Sequence, residues 1–250
     1  MGDKNNQIIN GDSNNQTIIN VNGDLVQGID RQQVVDIIKS FCYVNRDDVI
    51  EIVKNAIESI DEKYRIMPDK RIFVPAIQRL AYSMDNVTVK NAYKNLLSSS
   101  MNKNKFMIMH PSYVDIISQL NSDEIKLLDT LIGSTHITYP LINMRLKTKN
   151  SNDLGIILLK YFTDIGYGVC DIPENITVYI ENLIRLNLIT IPYGQFLTDK
   201  QHYTKLENHD KVLTIKNDIC NSGAKNIDFK FDHMVFGLTQ FGYNFIAICR

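Results

Sequence analysis

Apolar residues recur at helical spacing through the middle of the chain and shift to two-residue alternation toward its end. RQQVVDIIKSFCYV places Val34, Val35, Ile38 and Cys42 on one side of a helix. DDVIEIVKNAIESIDEKY does the same with Val49, Ile52, Val53, Ala56, Ile57 and Ile60. Asp47 and Asp48 stand at its start, where the positive end of the helix favours acids. Pro68 and Pro75 bracket a break, and VPAIQRLAYSM is expected to begin a helix with Pro75 near its first position. VKNAYKNLLSSSMN and SYVDIISQL follow as short amphipathic helices, the second opened by His110-Pro111. The Met-rich stretch between them, Met101 to Met109, reads as a packed helix end or connecting turn.

From Asn121 the pattern changes. Asn121 with Glu124 three residues on has the form of a capping box ahead of the periodic IKLLDTLI. Leu154 to Ile165 reads as a helix with Ile157, Leu158 and Tyr161 facing inward. VYIENLIRLNLITIP then sets Tyr179, Leu183, Leu186 and Ile189 at helical spacing, and Leu188 to Ile191 reads as a strand. A polar, partly helical connection from Gly194 to Lys211 comes next. Ile227 to Leu238 alternates as a strand, and Thr239 caps an amphipathic terminal helix. Helix, strand, long connection, strand and helix is the order of a winged helix with an enlarged wing. The expected fold is therefore mainly α with α+β character: a helical bundle over 29–120, then a winged-helix-like domain over 121–250.

Residues 1–28 follow neither pattern. Asn5-Asn6-Gln7-Ile8-Ile9-Asn10 returns as Asn14-Asn15-Gln16-Thr17-Ile18-Ile19-Asn20, with Gly11-Asp12 and Gly23-Asp24 as turn signals. A polar low-complexity tail is the simpler reading, but paired isoleucines are a liability without a partner. Two short strands are too small to bury a face of their own, so copies from several chains would have to stack. The repeat is expected to be a short β oligomerisation element that makes a homo-oligomer through Ile8, Ile9, Ile18, Ile19, Val21 and Leu25.

Composition changes little in this picture. With 250 residues, 44% of them apolar, and a net charge of −1, the chain can bury a core and shows no basic excess for nucleic acid. No signal peptide is evident, and the longest apolar run, broken by Lys160 and Asp164, falls short of the ~20 residues of a membrane span. Cys42, Cys170, Cys220 and Cys249 are scattered, as free thiols in a cytoplasmic protein would be. No glycine-rich phosphate loop or nucleophile elbow occurs. His110 reads as a helix-start residue, and His202 and His209 as members of a polar connection rather than a metal site. Asp228, Lys230 and Asp232, followed by His233, share a strand face that reads as solvated rather than as a nuclease strand; His136 has no partner motif. No catalytic residue, cofactor or metal is expected. Arg145, Lys147, Lys149 and Arg185 are the cations that a nucleic-acid interface would use, although Lys147 and Lys149 read first as a solvated loop.

Three strings in order, HPSYVDIISQLNSDEIKLLDTLI (His110 to Ile132), ENLIRLNLI (Glu181 to Ile189) and GLTQFGYNFIAIC (Gly237 to Cys249), resemble the bacterial Abi-alpha family of abortive-infection proteins. KNAYKNLLSSSMN ahead of them fits the same resemblance, which spans roughly Ile29 to Arg250. The resemblance implies a role in defence against bacteriophage and supplies no catalytic residues. The expected function is a non-enzymatic, oligomeric sensor or interaction module whose partner is a phage or host protein. Alternatives are a winged-helix DNA-binding regulator and a toxin with cryptic nuclease activity at Asp228, Asp232 and His233.

Overall fold

A computed structural model describes residues 29–133, 137–150 and 153–250. The amphipathic stretches fold as α1 (Arg31–Phe41), α2 (Arg46–Glu58), α3 (Lys70–Tyr82), α4 (Val87–Ser100), α5 (Tyr113–Ser118) and α6 (Ser122–Gly133). Side-chain caps set several of their starts. Asp30 accepts from the amides of Gln32 and Gln33, and Asn86 from that of Val89. The Asn121–Glu124 box closes in both directions: the Asn121 side chain accepts from the Glu124 amide at 2.9 Å and Glu124 Oε2 accepts from the Asn121 amide at 2.8 Å. One boundary differs from expectation. Asp69 caps α3, so the helix begins at Lys70 and Pro75 lies inside it rather than near its first position. There the proline ring forgoes a bond to the Arg71 carbonyl, and the buried neighbours Ile72, Phe73, Ala76 and Ile77 hold the turn in place.

The C-terminal half adds β1 (Tyr139–Thr148), β2 (Ile156–Phe162), α7 (Ile176–Arg185), β3 (Ile189–Thr190), α8 (Gln201–Glu207), α9 (Asp210–Asn221), β4 (Ile227–Leu238) and α10 (Gln240–Cys249). The strands form one antiparallel sheet in the order β2-β1-β4-β3. The protein is thus mainly helical with a small sheet. Residues 154–165, read from the sequence as a helix, hold β2 instead. Gly155 at φ +71° makes the turn that returns the chain along β1, and a Cβ there would sit 2.4 Å from the Leu146 carbonyl oxygen. Near its end β2 shifts register on β1: Tyr161 takes φ 54°, and its amide donates to the Asn143 side chain at 2.8 Å. This bulge separates the buried Leu159 and Phe162 by three residues, a spacing that imitates a helix. Lys147, expected in a solvated loop, is a β1 residue, and Lys149 follows directly after the strand.

The end of α7 organises what comes after it. Asn187 turns left-handed at φ 56°, the Leu188 amide bonds back to the Leu183 carbonyl, and the Asn187 amide to that of Ile184. That pair of bonds is a Schellman ending, and β3 starts directly after it. α10 sits on the same corner. Thr239 donates to the Asn187 carbonyl at 2.7 Å while accepting from the Gly242 amide at 2.8 Å. At its far end α10 meets α4 and the turn after it: from α4, Ser99 donates to the Ile248 carbonyl and Asn95 to those of Cys249 and Arg250, and from the turn, Lys105 donates to that of Ala247. The last carbonyls of a helix lack partners inside it, so these side chains complete α10. One hydrophobic core runs from Val34 in α1 to Cys249 in α10. Residues 1–28, with Ile8, Ile9, Ile18, Ile19, Val21 and Leu25, lie outside the described residues. Among the described residues no helix is long and apolar enough to cross a membrane.

Gly242 is the tightest contact in this corner. A Cβ on it would lie 2.0 Å from the Leu188 carbonyl oxygen, a backbone atom that cannot turn aside. Gly242→Ala is expected to destabilise the fold by roughly 3 kcal/mol, the upper range of overpacking. Gly133→Ala, with nothing within 4 Å of the new carbon, should shift stability by less than about 1 kcal/mol. Urea denaturation of the two variants measures the difference.

Candidate functional site

The sheet carries most of the charged residues singled out by the sequence. In the β1–β4 register, Asn143 faces Asp232, Arg145 faces Lys230 and Lys147 faces Asp228, so these six share one face. Arg145 reaches diagonally to Asp232, Nε to Oδ2 2.5 Å, with both side chains mostly buried. Lys147 stands opposite the carboxylate of Asp228. Two acids, Asp228 and Asp232, thus lie among the three cations Arg145, Lys147 and Lys230, so the face is of mixed sign rather than the one-sign strip that a phosphate backbone attracts. Arg185 is elsewhere, at the end of α7, and donates to Gln119 Oε1 at 2.9 Å and to Asn182 Oδ1 at 2.6 Å. The structure therefore groups Arg145 and Lys147 on β1 beside Lys149 and places Arg185 in a separate network.

The histidines described each have a local partner. His110 Nδ1 accepts from the Ser112 amide at 3.2 Å, at the turn that leads into α5. His209 accepts from the Lys211 amide at the start of α9, with its ring edge-on to Tyr167 at 4.4 Å. His202 lies 3.9 Å from Asp199 on the surface. On the other face of the sheet His233 stacks on Tyr203, centroids 4.1 Å apart, and Nε2 meets Glu207 at 2.6 Å. Asp228 and Asp232 belong to the face opposite His233, so the three do not converge as a nuclease constellation would. His136 lies outside the described residues. Among the described residues no three His, Cys, Asp or Glu side chains are placed to hold a metal. Three of the thiols are held in the protonated, unreactive form: burial, then the nearby Asp123 carboxylate, pushes Cys170 up to about 11, and burial also raises Cys42 and Cys249.

Two features were not found by sequence reasoning. The first is the burial of two adjacent acids in the opening turn of α6: Asp123, not singled out in the sequence, and Glu124, expected there only as the capping-box acid. Asp123 accepts from the amides of Asp171 and Ile172 at 2.8 and 2.9 Å and from the Tyr179 hydroxyl at 3.1 Å. Lys126 bridges to it and to Asp171. Glu124 completes the capping box and accepts from Asn182 at 2.8 Å. Burial works to raise both carboxyls. At Asp123 the donated hydrogen bonds outweigh it and hold the acid below its usual range, whereas at Glu124 burial prevails. Both acids tie α6 to the approach and body of α7.

The second is an aromatic groove of about 350 Å³ between the end of α1 and the last turns of α3. Phe41, Cys42, Tyr43 and Val44 form one wall, and Gln78, Arg79, Ala81 and Tyr82 the other. Gln78 donates to the Phe41 carbonyl at 3.2 Å and Asn45 to that of Ala81 at 2.8 Å, which fixes the two walls together. Tyr43 is 77% exposed and Tyr82 76%, with Phe41 and Val44 also open to solvent. The available signal was the unbroken FCYV run: Cys42 falls on the buried face of α1, which leaves Phe41, Tyr43 and Val44 off it.

Comparison with known proteins places the chain in context. The family described as "Abortive infection alpha" matches residues 45–249. No curated protein matches the chain. One solved structure, of an uncharacterized protein from the hydrocarbon-degrading marine bacterium Alcanivorax borkumensis SK2, is similar at 14% identity with a TM-score of 0.37. That similarity covers 58% of this chain and 94% of the other.

The Asp123 network sets a pH dependence. A carboxyl held below its unfolded value stabilises the fold above that value and loses the contribution as pH falls through the folded one. Asp123→Asn is expected to lower stability by about 2 kcal/mol at pH 7. It should also flatten the fall in stability that the parent protein shows below about pH 4, the unfolded Asp value. Melting curves from pH 7 to pH 3 test both parts.

Proposed function

The chain belongs to the abortive infection alpha family, and from that premise we propose a non-enzymatic interaction protein of phage defence that works as a homo-oligomer and docks a phage or host protein. The observation that carries this reading is the solvent-open groove of Phe41, Tyr43, Val44 and Tyr82. Exposed aromatic side chains around a concavity are the usual anchors of a protein contact, because they bury much area at little entropic cost. The charged groups point the same way. Arg145 and Arg185 are engaged inside the chain, so recognition by clustered cations has little to work with.

The winged-helix reading of 121–250 belongs with this proposal. The strand order β1-β4-β3, with α7 ahead of β3 and α10 behind β4, supports it, and α8 and α9 then stand where a wing would be. We read that unit as a protein-facing scaffold beside the helical region 29–120, with the 1–28 repeat joining copies.

Two measurements test the parts separately. Deleting residues 1–28 should reduce the oligomer to monomers by light scattering, and an unchanged mass would remove the repeat from the interface. Tyr43→Ser with Tyr82→Ser should weaken protection of a phage-challenged host roughly tenfold or more, the loss of about one contact hot spot. Because both tyrosines are exposed, the melting temperature should hold. Full protection in that variant would mean that the groove is not the docking surface.

A further inference from the structure

The groove lies at the far end of the helix that residues 1–28 enter. α1 begins at Arg31 and its groove wall at Phe41, ten residues on, so the wall is about 15 Å from the helix start at ~1.5 Å per residue. A chain returning along α1 from Ile29 covers ~3.3 Å per residue. Such a return would carry Leu25 ~13 Å and Val21 ~26 Å along the helix, distances that straddle the groove. It needs a reversal just ahead of Ile29, and the sequence has a glycine there, Gly28, the residue type that best tolerates one. Leu25 and Val21 offer aliphatic side chains to Phe41, Tyr43 and Tyr82. Asp24, between them, carries the charge that complements Arg79 on the rim, which reaches the exposed Asp115 only at 3.8 Å.

From this juxtaposition we infer that the chain's own Val21–Leu25 segment docks in the α1–α3 groove, as an intramolecular occupant that a partner protein must displace. The inference rests on the groove being a docking surface and adds what fills it beforehand. A tethered segment needs little intrinsic affinity, since its effective concentration near the groove is in the millimolar range. Val21 and Leu25 also belong to the repeat expected to join copies, so docking and strand stacking draw on the same side chains and exclude each other there. The groove and the oligomer are then linked: release of the segment frees both.

The chain contains no tryptophan, so Leu25→Trp in the full-length protein introduces a single emitter of that kind. Docking predicts blue-shifted emission that is unchanged on dilution and reverts to the solvent value when Tyr43→Ser and Tyr82→Ser are added. Phe196→Ser, which removes an exposed aromatic elsewhere, should leave the emission as it was. Solvent-like emission with an intact groove overturns the inference. So does a blue shift that persists in the groove variant and fades on dilution, which would place the introduced indole in contacts between copies. That second result leaves the oligomer reading standing, and loss of phage protection in the groove variant tests the docking surface independently of either outcome.

Discussion

The structure depends on how α10 is held at both ends. Its first turn rests on the corner where α7 becomes β3: the Leu188 carbonyl accepts from the Thr239 amide at 3.0 Å, and Gly242 lies against the same oxygen. Its last carbonyls are taken by Asn95, Ser99 and Lys105, from α4 and the turn after it. Neither end is local. The α4 partners precede the carbonyls they bind by about 150 residues, as the separation of 149 between Ser99 and Ile248 shows. A chain that closes such a loop meets an entropic cost that grows only slowly with length, and here it gains a completed helix and a shared core. The helical half and the sheet half are consequently fastened through α10, and the groove on α1 and α3 stands on a framework that continues into the sheet.

Local chemistry made part of this readable. The Asn121–Glu124 box, the Thr239 cap and the bounds of β4 follow from residues within a few positions of each other, and each forms as the spacing implies. β2 was not readable in the same way. Its bulge at Tyr161 depends on Asn143, 18 residues earlier, and without that partner Ile157, Leu158 and Tyr161 carry only helical spacing. The start of α3 was misplaced because proline is a strong signal and Asp69 a quieter one. For the site, the sequence supplied charged residues but not their pairing. Arg145 looks like a free cation until β1 and β4 are aligned and Asp232 comes within reach. Asp123 is silent in sequence because its donors come from a turn 48 residues further on.

Polar groups that resemble chemistry are used here for construction. Asp123 and Glu124 are adjacent, buried and shifted in opposite directions, a pattern that in a cleft would suggest an acid and a base. Yet each carboxylate is filled by donors from the α6–α7 contact, with Tyr179 and Asn182 supplying one each. His233 and Glu207 likewise join β4 to α8 under the ring of Tyr203. The α1–α3 groove, by contrast, is concave, aromatic and open to solvent.

A groove of this size constrains how a protein built around it can act. About 350 Å³ is near the lower end of small-ligand pockets, and a contact confined to it would bury less than the ~1,200 Å² typical of a stable interface. With a net charge of −1, long-range steering adds little to association either. A single copy would therefore bind a partner weakly and release it quickly. Joining several copies turns later contacts into tethered ones and raises the lifetime of the complex by orders of magnitude without any new contact. If the 1–28 repeat joins copies as proposed, it and the shallow aromatic groove would act as two parts of one device, since a weakly binding groove needs multiplicity to hold a target.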